Sequence, residues 1–182
     1  MTGRFTIAIL FCFHSLVTGG SAAQYQSNAE LAKDLKALAE NLGFKSVRTF
    51  IASGNLLFTS AKSEAAVKTA LETAVKSHMS RDVGVMVRTA SEMAEVAAAN
   101  PFADEPGNRV VAIFLDEAPP VAATDAAKNV ADERMALGKR EIYVHYPSGQ
   151  GQSKLTIPAA AKGTARNMNT VAKLAELARE QS

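Results

Sequence analysis

Residues 45–60 read Lys-Ser-Val-Arg-Thr-Phe-Ile-Ala-Ser-Gly-Asn-Leu-Leu-Phe-Thr-Ser, and this stretch restricts the choice of fold more than any other. Two β-prone runs flank Ser53-Gly54-Asn55. Gly-Asn between such runs marks a hairpin, because glycine supplies the positive φ of a primed two-residue turn. With Gly54 and Asn55 at its centre, Ser53 faces Leu56 and Ile51 faces Phe58. Side chains alternate along a strand and paired residues share a face. Val47, Thr49, Ile51, Leu56 and Phe58 then line one side, and Arg48, Phe50, Ala52, Leu57 and Thr59 the other. The second side is too apolar to stand free in water, so another part of the chain, a partner or a ligand is expected over it.

Helical patterns flank the hairpin. Ser27-Asn28-Ala29-Glu30 is a capping box, in which hydroxyl and carboxylate satisfy each other's free backbone N–H groups. Leu31, Leu35, Leu38 and Leu42 then recur on one face, and Gly43 ends the helix. A second helix is predicted over residues 63–79, with Val67, Leu71, Ala74 and Val75 as its apolar stripe and His78 in its last turn, where the helix dipole favours a cation. Residues 83–88 alternate as a strand. The apolar run 5–11 has two readings: a buried strand, or the core of a secretory signal ending near Ser21 and Ala23. It is too short to cross a membrane as a helix, which takes about 20 apolar residues. As a strand it completes a β-α-β-β-α-β order, the ferredoxin-like arrangement with its first and third strands central. Cleavage after Ala23 would delete a central strand, so the strand reading and a cytoplasmic location are preferred. Secretion is the alternative if residues 1–23 are a signal peptide.

The second half repeats the theme without a visible residue-level repeat. Thr89-Ala90-Ser91-Glu92 opens a short helix that Asn100-Pro101 ends. Residues 110–115 form an apolar strand, an alanine-rich helix is predicted over 123–130, and 132–137 with 141–146 make a second hairpin about Gly138-Lys139. In its second strand Ile142, Val144 and Tyr146 face one way and Tyr143 and His145 the other. Helices are predicted over 154–161 and 168–180. The fold class is therefore α+β: two ferredoxin-like halves with antiparallel sheets, the second ending in extra helices, divided as 1–88 and 89–182 or packed as one unit.

Composition removes several function classes. A net charge of +2 over 182 residues gives no global polyanion-binding field. The single cysteine, Cys12, has no internal disulfide partner, and three scattered histidines offer no metal-ligand spacing. No cofactor motif is present. The stacking-aromatic pattern of RNA-recognition sheets is absent, so no sequence-specific nucleic-acid partner is expected.

Several short pieces, in order, resemble the domain-of-unknown-function 1697 family. They are Leu42-Gly43-Phe44, Ser53-Gly54-Asn55-Leu56-Leu57-Phe58, Val87-Arg88-Thr89, Asn100-Pro101-Phe102, Phe114-Leu115-Asp116-Glu117, Tyr143-Val144-His145-Tyr146-Pro147, Ser153-Lys154-Leu155 and the run Thr164-Ala165-Arg166-Asn167-Met168-Asn169-Thr170-Val171. The resemblance extends from about Leu31 to the C-terminus. It implies an α+β protein with two ferredoxin-like halves, of bacterial type, and brings no established activity. The chain departs from the family where members carry an Arg-Gly-Ile-Asn-Val-Gly-Gly loop after the first strand. Residues 11–20 stand there and keep only Gly19-Gly20.

Candidate chemistry gathers in Ser148-Gly149-Gln150-Gly151-Gln152-Ser153-Lys154. Glycines allow successive N–H groups to turn toward one point, and a following helix N-terminus would favour an anion there. Ser153 either caps that helix or donates to the anion, and Lys154 pairs with the anion. The spacing is not that of a P-loop. Arg166 could add a two-pronged grip on phosphate or carboxylate, while Asn167 suits a helix N-cap. Ser53 and Asn55 either build their turn or present a hydroxyl and an amide at its tip. His145 has no evident partner for general-base work, and no nucleophile–base–orienter set is legible. The preferred expectation is a module binding a small anionic ligand through Ser53, Asn55, Ser153, Lys154, Arg166 and Asn167. The alternatives are an enzyme acting on a phosphorylated or carboxylated metabolite, and a protein-interaction or dimerisation module using Phe50 and Leu57.

Overall fold

The computed structural model describes residues 5–12, 28–51, 54–80 and 82–182. It comprises two compact units, Met1–Ser91 with Glu176–Ser182, and Glu92–Ala175. The first contains β1 (Phe5–Cys12), α1 (Asn28–Asn41), β2 (Lys45–Phe50), β3 (Asn55–Ser60), α2 (Glu64–Met79) and β4 (Gly84–Thr89). Its antiparallel sheet has the order β2-β3-β1-β4, with the first and third strands central, as the ferredoxin-like order requires. The N-terminal apolar run is thus the middle of a sheet. The capping Ser27 and residues 13–20 of the segment that departs from the family pattern lie outside the described residues, while Phe11 and Cys12 belong to β1.

Side-chain spacing explains the helical layer. Residues four apart on a helix share a face, and Leu31, Leu35 and Ala39 of α1 join Val67, Leu71, Val75 and Met79 of α2 over Val47, Leu56, Phe58, Val85 and Val87. Phe44 stacks on Phe58, with ring centroids 4.2 Å apart. Ser63 caps α2 by accepting from the Ala66 N–H at 3.3 Å. Gly43 ends α1 with φ of +82°. There the Phe44 N–H reaches Ala39 O (3.2 Å) and the Gly43 N–H reaches Glu40 O (2.9 Å), satisfying carbonyls the helix leaves open.

The first hairpin is built differently from the expected two-residue turn. Phe50 pairs with Asn55, Thr49 with Leu56 and Arg48 with Leu57, so the loop holds four residues, 51–54. Each residue's partner lies four positions from the expected one, Phe50 facing Asn55 in place of Thr59. A slip of one residue would exchange the faces, whereas an even slip preserves them. Val47, Leu56 and Phe58 therefore still meet the core, and Leu57 is buried on the other side. Ile51 leaves the strand, lies exposed and adopts φ of +47°. The longer loop is closed by Asn55, whose amide donates to Phe50 O at 3.0 Å.

The second unit contains most of α3 (Ala90–Ala98), then β5 (Val110–Phe114), β6 (Arg134–Leu137), β7 (Glu141–His145), β8 (Thr164–Asn167) and the start of α4 (Met168–Glu180). Its antiparallel sheet runs β6-β7-β5-β8, the order of the first sheet with each strand replaced by its counterpart. The helices predicted over 123–130 and 154–161 do not form. Eight alanine-rich residues behind Pro119-Pro120 are too few to sustain a helix alone. Pro158 lacks the N–H that a helix interior needs, and only a 3-10 turn, Pro158–Ala160, appears there. The two segments bond to each other instead, Lys128 and Thr156 exchanging backbone hydrogen bonds of 2.8 and 3.0 Å. Ala123, Ala127, Leu155 and Ile157 then cover Val111, Ile113, Ile142 and Val144, the place taken by helices in the first unit. β8, read from sequence as the approach to the last helix, is a strand.

The matched order exposes a repeat at residue level. β4 runs into α3 as Arg88-Thr89-Ala90-Ser91-Glu92-Met93-Ala94-Glu95-Val96-Ala97, and β8 into α4 as Arg166-Asn167-Met168-Asn169-Thr170-Val171-Ala172-Lys173-Leu174-Ala175. Arg88 pairs with Ala8 of β1 and Arg166 with Ala112 of β5. Met93 and Val171 are buried, as are Val96 and Leu174. The first unit's core makes a direct test. Leu71→Ala, at a site with no exposure, is expected to cost about 2–5 kcal/mol in urea unfolding, with an unchanged denaturant slope.

Candidate functional site

The segment after β7 is a chain of tight turns. The Gly149 N–H donates to Tyr146 O (3.0 Å), that of Gln152 to Gly149 O and that of Ser153 to Gln150 O (both 3.2 Å). The Leu155 N–H takes Ser153 Oγ at 3.1 Å. These amides are therefore spent inside the loop, and no helix follows Lys154, so the helix-terminus contribution expected there is missing. Gly149 has φ of +92°, and a Cβ on it would stand 3.0 Å from Arg109 Nη1. The backbone conformation favours glycine, and a Cβ there would press on the neighbouring guanidinium. Arg109 donates from Nη1 to Pro147 O at 2.8 Å. The other N–H groups of its fork, and the ammonium of Lys154, have no partner among the described residues.

Ser153 turns its hydroxyl to a neighbouring carboxylate. Its hydroxyl donates to Glu133 Oε1, and the other oxygen of that buried carboxylate accepts from the Ala131 N–H at 2.7 Å. The Ser153 hydroxyl first, and the Ala131 N–H next, hold the Glu133 carboxyl below its usual range. Burial, with the Glu133 charge second, pushes the Tyr146 phenol up. Ser148 completes this side by donating to Asp132 Oδ2 at 2.6 Å.

Arg166 is elsewhere. It shares a sheet row with Ala112, Tyr143 and Ala136, the face opposite the Val111–Val144 core on which Leu155 packs. Its Nη1 donates to Thr164 Oγ1 (2.9 Å) and Ala165 O (2.8 Å). Asn167 caps α4, accepting from the Thr170 N–H at 2.9 Å. Asn55 is 1 % exposed, with its amide turned to the hairpin it closes. Ser53 lies outside the described residues. Ser153 and Lys154 thus share a loop, Arg166 lies on the other sheet face, and Asn167 sits at the strand end that opens α4.

On the Arg166 face, sequence reading missed a polar cluster. His145 pairs with Arg134 across the second hairpin, and its Nδ1 accepts from Arg134 Nη2 (3.0 Å) and Nε (3.3 Å). Arginine only donates, so Nδ1 carries no proton and Nε2–H faces Glu105 Oε2 at 3.5 Å. Glu105 also pairs with Arg134, and the Arg134 guanidinium lies 5.2 Å from the Phe102 ring centre. A hairpin centred on Lys139-Arg140 in place of Gly138-Lys139 would have paired Arg134 with His145 from sequence. Nothing local marks Glu105 or Arg109. Next to this cluster the Tyr143 hydroxyl reaches Val96 O (2.9 Å) and Glu141 Oε1 (3.3 Å). Burial, and then the Glu141 charge, hold that phenol far above its usual range. Among the described residues no group of His, Cys, Asp or Glu is gathered that could hold a metal ion, and no helix is long and apolar enough to cross a membrane.

Fold and sites define an α+β protein of two antiparallel sheets in one strand order, with polar clusters held by internal hydrogen bonds. The family model for "Protein of unknown function (DUF1697)" matches residues 26–143, and the chain belongs to that family. Among solved structures it is similar to the conserved bacterial protein SP0830 from Streptococcus pneumoniae, at 24% identity and a TM-score of 0.71, over 97% of this chain and 99% of that one; the likeness is one of fold. No curated protein matches the chain.

The Glu133 contact gives a pH test. A folded carboxyl with lowered affinity for protons stabilises the fold fully above its ordinary value of 4.5, and that contribution is lost as pH falls through the lower folded value. Ser153→Ala is therefore expected to lower the melting temperature most at neutral pH, with a gap to wild type that narrows in acid. A gap constant with pH would contradict the assignment.

Proposed function

We propose that the protein is a non-catalytic module for a small phosphate- or carboxylate-bearing ligand, gripped at the loop after β7 by Arg109 and Lys154. One observation carries the reading. The Arg109 fork is fixed against Gly149 through Pro147 O while its remaining donors, and the ammonium of Lys154 on the same loop, have no partner among the described residues. A guanidinium held in place with spare donors suits two-pronged recognition of an oxyanion, and an unpaired ammonium adds a point charge. Arg166, expected as the second cation, is replaced in this role by Arg109, since it bonds to its own strand on the other sheet face. An enzymatic reading through His145 gains no support, because Arg134 and Glu105 already engage both ring nitrogens.

Thermal melts with inorganic phosphate, pyrophosphate, nucleotides and citrate test the proposal. Ligand at 100 times its Kd adds about 2.7 kcal/mol, a rise of roughly 5–10 °C for a chain of this size. Arg109→Gln and Lys154→Ala are each expected to abolish the rise, and Arg166→Ala to keep it. A wild-type protein whose melting point ignores the whole panel would refute the reading.

A further inference from the structure

Open sheets end in strands whose outward N–H and C=O groups invite pairing with another chain. In an antiparallel ladder, bonded and non-bonded pairs alternate, which identifies those groups here. At β4, the Val85 N–H donates to Glu72 Oε1 (3.1 Å) and Val85 O accepts from Lys68 Nζ (2.8 Å); Glu72 and Lys68 form an ion pair on α2. Two residues on, Val87 O accepts from Arg88 Nη1 at 2.8 Å. Arg166 does the same at β8 for Ala165 O, also at 2.8 Å. At β2, Ser46 O accepts from Gln181 Nε2 at 2.6 Å. Each of these three edges has an outward carbonyl held by a side chain.

β6 is different. The Gly138 N–H donates to Glu141 O at 2.8 Å, so Gly138–Glu141 is a bonded pair. Alternation then makes Ala136–Tyr143 and Arg134–His145 bonded pairs too, and turns the N–H and C=O of Met135 and Leu137 away from β7. These four groups have no partner among the described residues. The Leu137 side chain is 36 % exposed and Met135 is half-buried.

We propose that the β6 edge is a self-association surface, on which a second copy of this chain adds its own β6 antiparallel about a two-fold axis at Ala136. That axis sets Met135 opposite Leu137 of the second copy, and Leu137 opposite its Met135. The two pairs satisfy all four outward groups of each strand with four hydrogen bonds. The same register lays the apolar Met135 and Leu137 side chains together on one face. Self-complementarity of backbone and apolar side chains about one axis is what an isologous dimer requires, and it favours a second copy over an unrelated peptide. A four-residue strand buries far less than the roughly 1,200–2,000 Å² of a stable interface, so the dimer is weak and reversible.

Sedimentation velocity of the full chain from micromolar to millimolar concentration tests this. Wild type is expected to shift from monomer toward dimer. Met135→Pro removes an outward N–H without touching the β6–β7 ladder, and Leu137→Lys places an edge charge. Both are expected to stay monomeric at concentrations where wild type is dimeric, with far-UV spectra matching wild type as the check on folding; Leu137→Lys serves alone if Met135→Pro does not fold. Wild type that remains monomeric throughout overturns the proposal, as does a dimer unaffected by the folded variant, since that dimer would use another surface.

Discussion

Backbone hydrogen bonding at the sheet edges is the constraint on which this structure turns. A four-stranded sheet satisfies its two inner strands completely and leaves each outer strand with one unpaired row. Water can bond to such a row, but so can any extended chain. Here side chains from three sources occupy outward groups: the α2 pair, Lys68 on the Val85 carbonyl and Glu72 on the Val85 N–H, the strand arginines Arg88 and Arg166 on carbonyls, and Gln181 near the C-terminus on the Ser46 carbonyl. Residues that look like ordinary surface charge in the sequence thereby acquire a structural role. Arg88 is only 2 % exposed, and its bond to the preceding carbonyl keeps one of its donors satisfied where a buried charge would otherwise be costly.

The two units solve the same packing problem with different material. Both place their first and third strands at the centre, and both follow the fourth strand with a helix. One sheet is covered by two amphipathic helices with apolar residues at four-residue spacing. The other is covered by irregular segments tied together by the Lys128–Thr156 bridge and by Glu133, which gathers Ser153 and the Ala131 N–H. Irregular backbone cannot satisfy its own polar groups as a helix does, and a buried carboxylate accepting several hydrogen bonds is one way to supply partners. The cluster Glu133, Ser153 and Tyr146 is accordingly better explained by holding a loop than by meeting a ligand. Arg109 and Lys154, on that loop, keep donors without a partner among the described residues.

Much of the fold was legible because periodicity reports burial. The Leu31–Leu42 and Val67–Val75 stripes, the alternation in residues 83–88 and the opposed faces of Ile142 and Tyr143 all follow from one side of each element meeting a core. The faces of the first hairpin were right even though its register was not, because an even slip leaves alternation intact. Composition misled where tertiary bonding won: alanines at 123–130 suggested a helix, and Lys128 instead paired with Thr156. The site was less legible. Ser153, Asn55 and Asn167 are polar residues in loops and at strand ends, which is what a ligand site and a backbone cap both look like in sequence, and the structure shows each bonded within the chain. Arg109 stood out by nothing local, since only the return of the loop after β7 brings Gly149 to it.

Amide hydrogen exchange by NMR examines the edge assignment most directly. In dilute solution the Val85 amide, bonded to Glu72, is expected to exchange slowly, while those of Met135 and Leu137 exchange at rates near those of exposed loops. Raising the concentration is expected to slow Met135 and Leu137 and leave Val85 unchanged. A Val85 amide as labile as that of Met135, or Met135 and Leu137 amides already protected in dilute solution, would contradict the assignment of closed and open edges.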